Sequence, residues 1–194
     1  MKNSYLTGKT GRLDLLTKTG LGILYPENAA SLIDIVVKDK KELTSPLVKT
    51  VPHKSWDLCK TELDKVFSFL AQYSSSDVFF LAPLHQSRPI SDLETPYSVY
   101  TYEGSKEDKF EDCSIVEDDD LCSEEYSFEI ILPYLEKLFP SSRTHAFFAP
   151  KPENTEEEKV LKKILGLIEK NYPGSIILIS DNDDCCLMWK KALI

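Results

Sequence analysis

SIILIS, residues 175–180, is a nearly continuous apolar run, and it passes directly into Asp181-Asn182-Asp183-Asp184. A strand buried on one face alternates apolar and polar residues; a run without alternation reads as a central strand covered on both faces. The flanking sequence supports this reading. Upstream, residues 154–171 form an amphipathic helix with Val160, Leu161, Ile164, Leu165 and Ile168 in its stripe. Asn154 or Thr155 is placed to cap it, with Glu156 to Glu158 at the positive end of its dipole. THAFFAP at 144–150 reads as the strand before that helix.

The alternation continues toward the N-terminus. The stretch 125–139 is a helix with Phe128, Ile131, Leu132, Leu135 and Leu138 on one side, interrupted at Pro133 and ended by Pro140. DVFFLAP at 77–83 is a buried strand, and Leu58, Leu63, Val66, Phe67 and Leu70 give a helix over 56–73. LVKTV at 47–51 is a strand closed by Pro52, and ENAASLIDIVVK at 27–38 is a helix through Ala30, Ile33, Val36 and Val37. Helices alternating with strands predict an α/β layered sandwich with a mostly parallel central sheet and helices on both faces. The expectation is one domain over 1–194.

The 194 residues carry a formal charge of -9 and are 42% hydrophobic, enough for one sizeable core. Residues 103–125 hold eleven acidic residues against Lys106 and Lys109 and so account for all of that charge. The stretch has little periodicity and predicts a flexible acidic loop, about 103–124, on a neutral body. That balance argues against nucleic acid and anionic membrane as partners. The sequence has no signal-like N-terminus, no span-length apolar run and five unpaired-looking cysteines, so a cytoplasmic, reduced protein is expected.

In open α/β sheets ligands bind beyond the C-terminal ends of the strands. Two of the three histidines stand there: His53 after LVKTVP and His85 after DVFFLAPL, while Asp181 to Asp184 follow SIILIS. Two imidazoles and a carboxylate could hold iron, zinc or copper. His145, at the start of its strand, lies at the opposite end and is expected at the surface or an edge. No dinucleotide fingerprint, phosphate loop, nucleophile elbow or zinc-peptidase motif is present.

Ordered blocks match a known pattern: GILYP at 22–26, VPHKSW at 51–56, FFLAPLHQ at 79–86, ETPY at 94–97, EEYSFEIILPYLEKLF at 124–139 and ILISDNDD at 177–184. Through these the chain resembles the Memo-like family, also called AmmeMemoRadiSam system protein B, similar in fold to LigB-type class III extradiol dioxygenases. The resemblance implies metal ligands at His53 and His85, with Asp181 and Asp184 as further candidates. It implies supporting roles for Glu129, Gln86 and Tyr126. Gln86, Tyr126 and Asp184 stand where the family has histidines, and Glu125 matches a family carboxylate. The family's C-terminal third, with a cysteine ligand, has no counterpart here. The resemblance therefore implies a shortened protein with an eroded metal site, holding no metal or one divalent ion (Fe, Zn or Cu). The function it implies is that of a non-catalytic binding or accessory module, the alternative being a metal-dependent redox or dioxygenase-type enzyme using His53 and His85. The expected partners are a second copy or a protein covering the face that third would cover, and AMMECR1-like and radical-SAM proteins.

Overall fold

The run of apolar residues from Val78 to Ala82 has no polar face, so the strand that contains it needs cover on both sides. The computed structural model describes residues 29–37, 39–54, 56–84, 97–103, 105–123, 125–181 and 189, of which 30, 57, 123, 126 and 181 are described in backbone only. The strands are β1 (Lys41–Glu42), β2 (Leu47–Pro52), β3 (Tyr73–Ser74), β4 (Asp77–Pro83), β5 (Val99–Thr101), β6 (Ile115–Glu117), β7 (Arg143–Ala149) and β8 (Ile176–Asp181). The helices are α1 (Ala29–Leu32), α2 (Trp56–Leu70), α3 (Asp119–Ser123), α4 (Tyr126–Glu129), α5 (Leu132–Leu138) and α6 (Thr155–Asn171).

Six strands form one sheet in the order β2-β8-β4-β7-β5-β6, and β1 pairs with β3 apart from it. β2, β8, β4 and β7 are mutually parallel; β5 runs antiparallel to β7, and β6 is parallel to β5. The result is an α/β fold with a mostly parallel mixed sheet between two helical layers, as the sequence predicts. Alternation along β4 sends Val78, Phe80 and Ala82 into a core with α1, α2, α4 and α5. Phe79 and Leu81 enter the opposite core, with α6, Phe110, Tyr172 and Trp189.

Parallel strands joined through a helix almost always cross over with a right-handed sense, so a reversal of direction along the sheet puts the helix on the other face. The chain moves one way from β2 to β4 to β7 with α2 and then α4 and α5 on one face. It turns back from β7 to β8, and α6 lies on the other face. Asn154 caps α6, its side chain accepting from the Glu156 and Glu157 N–H groups at 3.1 Å, which contributes about 1 kcal/mol. Pro133 lies in the first turn of α5, where its missing N–H is no loss.

Three expectations change. The helix over 27–38 is reduced in the described part to α1, and Val36 is 75% exposed. The Lys137 Nζ donates to the Ile33 carbonyl at 2.5 Å, an acceptor that a longer helix would give to residue 37. On α2 the buried stripe is Cys59, Leu63, Phe67 and Leu70, and Leu58 points to solvent.

The third concerns 103–125, which is built into the sheet rather than looped away from it. A 3-10 turn over Asp108–Phe110 drives the fully buried Phe110 into the second core, and β6 and α3 follow. The Asp118 N–H donates to the Thr101 carbonyl at 2.9 Å, continuing the β5–β6 pairing. On the outer side of β6 the Ile115 carbonyl accepts from the Lys106 Nζ at 3.2 Å. A lysine on an edge carbonyl blunts further strand addition.

Candidate functional site

The C-terminal ends of β2 and β8 lie side by side, with Pro52 opposite Asp181. After β2 the chain enters α2 on one face; after β8 it reaches Trp189, buried in the core of the other face, whose Nε1 donates to the Ala82 carbonyl at 3.3 Å. Connections that leave adjacent strand ends for opposite faces open a crevice between them.

His53 stands at this crevice. Its Nδ1 is 2.5 Å from the Ser180 Oγ, and its Nε2 is shielded from solvent. Ser180 shares a sheet face with Leu178, and its register partner Val51 shares that face, so the next residue on the same side of β2 is His53. The turn beyond is fixed by Cys59, whose Sγ donates to the Lys54 carbonyl at 3.2 Å. Burial pushes the Cys59 thiol up to about 11, so it stays protonated and unreactive. Desolvation likewise raises Cys113 and Cys122.

Of the other residues assigned by resemblance, Asp181 ends β8 and Tyr126 opens α4, both described in backbone. His85, Gln86 and Asp184 lie outside the described residues, as do the GILYP block and most of ETPY. Glu129 is half-buried and Glu125 fully buried, with Phe128 between them packed on Phe80 at 5.4 Å. Burial, followed by the nearby Cys122, Glu129, Asp119 and Glu125, raises the Tyr102 hydroxyl, whose proton goes to the Cys122 carbonyl at 3.1 Å. The structure thus places His53 and the Asp181 backbone together, and Glu125 and Glu129 around Tyr102.

A second polar group lies at the opposite end of the sheet, where β4 and β7 begin. Asp77 pairs in register with Arg143, and Phe79 with His145. The Asp77 Oδ1 accepts from the Arg143 Nη2 at 2.7 Å and from the His145 Nε2 at 3.1 Å. Glu107, from the acidic segment, accepts from the Arg143 Nη1 at 3.0 Å through Oε1, and through Oε2 from the Tyr172 hydroxyl. The His145 Nε2 is 3.8 Å from the Glu107 Oε1.

His145 is 4% exposed and stacked on Phe79 at 4.5 Å, so the expected surface or edge residue is a core histidine. Its strand lies between β4 and β5, which a position early in the strand does not reveal. The signal available was that opposite charges, Asp77 and Arg143, stand at the starts of the two apolar runs DVFFLAP and THAFFAP. Burial alone would raise the Asp77 carboxyl; hydrogen bonds from His145 and Ser76 and the Arg143 charge outweigh it and hold it below its ordinary value. The donor atoms of Asp77, Glu107 and His145 lie within 4.8 Å of one another, a spacing that could hold a metal ion.

Among the described residues no helix is long and apolar enough to cross a membrane. No family model and no curated protein matches the sequence.

Proposed function

We propose that the protein is a Memo-like, cytoplasmic binding or accessory module, built on a metalloenzyme-type scaffold whose metal chemistry has been lost. The observation that carries this reading is the pairing of the His53 Nδ1 with Ser180 at the mouth of the β2–β8 crevice. A fixed imidazole there is a recognition element whether or not a metal is present. Proton transfer on this scaffold would call on imidazoles at 126 and 184, and tyrosine and aspartate stand in those positions. Its partner is a second copy or another protein, with AMMECR1-like and radical-SAM proteins the class that the resemblance supplies.

Metal content tests the reading. Protein purified without chelator is expected to have the same iron, zinc and copper content as the His53→Ala/His85→Ala variant, measured by plasma mass spectrometry. Near-unit metal that disappears in that variant would overturn it in favour of a metal-dependent redox or dioxygenase-type enzyme.

A further inference from the structure

Asp77, Glu107 and His145 belong to three separate stretches of chain, yet their donor atoms converge on one small volume. Ligands at about 2.1 Å from a tetrahedral ion lie about 3.4 Å apart. The His145 Nε2 is 3.1 Å from the Asp77 Oδ1 and 3.8 Å from the Glu107 Oε1, on either side of that value.

The carboxylates are also oriented from behind. The Ser76 hydroxyl donates to the Asp77 Oδ2 at 2.6 Å, and the Tyr172 hydroxyl donates to the Glu107 Oε2, so each turns its other oxygen toward His145. Outer hydrogen bonds of this kind fix ligand geometry in metal sites. Phe79 forms a dry wall against the imidazole.

Independently, the Ser175 Oγ is buried with no hydrogen-bond partner among the described residues, and Ser175 is 1% exposed. Val78 pairs with Ile176, so Ser175 stands beside Asp77 on the adjoining strand. Alternation puts both on the sheet face that carries His145, so a buried hydroxyl with a spare acceptor lies on that face one strand over from Asp77.

The volume already serves a cation. The Arg143 guanidinium bridges the same two oxygens, while its side chain is 55% exposed and free to turn outward into water. We propose that Asp77, Glu107 and His145 form a site for a divalent transition-metal ion, which enters by displacing Arg143. The doubly charged ion balances both carboxylates, whereas the guanidinium balances one. A carboxylate can only accept, so the proton on the His145 Nε2 moves to Nδ1 or to solvent as the ion binds.

Titration of the full chain with Co2+, followed by visible absorption and competed with Zn2+, tests this. The wild-type chain takes up one equivalent. Arg143→Met, which removes the competing cation, tightens binding roughly tenfold. Glu107→Gln and His145→Phe weaken it roughly tenfold or more. Glu107→Gln keeps the size and the tyrosine contact, so it remains informative if His145→Phe fails to fold. His53→Ala/His85→Ala leaves the uptake unchanged, which separates this site from the β2–β8 crevice. No uptake at millimolar Co2+, uptake indifferent to Glu107→Gln and Arg143→Met, or uptake lost with His53 and His85 would each overturn the proposal.

Discussion

Replacing Phe110 by alanine lowers the free energy of unfolding by about 3–5 kcal/mol, the cost of emptying an aromatic site in a packed core. Phe110 is completely buried, edge-on to Phe79 at 6.4 Å and Phe147 at 5.4 Å, and parallel to Tyr172 at 6.1 Å. It sits in the most acidic part of the sequence, with Glu107, Asp108, Glu111 and Asp112 around it. A solvated acidic loop would make the same substitution nearly silent, within about 0.5 kcal/mol. Urea denaturation at neutral pH distinguishes the two outcomes, and a silent substitution would remove the segment from the core.

The second large effect belongs to Asp77→Asn. The amide keeps the volume and removes the charge facing Arg143 and His145, and a stability loss of about 2–3 kcal/mol is expected at pH 7. The pH dependence has a definite sign. Asp77 has a lower pKa folded than unfolded, so its contribution is complete above the unfolded value, about 3.9. It is lost as the pH falls through the folded value. The gap between wild type and variant therefore narrows below about pH 4. Urea midpoints at pH 7, 5 and 3 read this directly, and a gap that stays constant across the series would show that the Asp77 charge is not what stabilises.

What the sequence revealed and what it hid divide along one physical line. SIILIS and DVFFLAP could be read because a strand buried on both faces needs apolar residues throughout. Asn154 and Pro133 could be read because capping and a missing N–H act within a few residues. His145 could not, since its burial is decided by which strands lie beside β7, and Asp77 and Arg143 are neighbours only through that pairing. The order of 103–125 was hidden for the same reason. One phenylalanine and a three-residue strand carry too little pattern to register, and the segment is held by Glu107 meeting Arg143 and Tyr172, distant in sequence. Of the crevice, the positions of His53 and Asp181 were legible because the ends of parallel strands collect on one side; the Ser180 contact required the register.

The position of β8 sets the order of events during synthesis. β2 and β4 never touch as partners; each pairs with β8, which follows both in the chain by about a hundred residues or more. Until residues 176–181 leave the ribosome, β2 has no neighbour in the main sheet among the described strands, and β4 has only β7. At roughly 5–20 residues per second, that interval lasts from several seconds to some tens of seconds. Throughout it, β4 keeps an unpaired edge with Phe79, Phe80 and Leu81 along it, the kind of surface that chaperones bind and that another nascent chain could pair with.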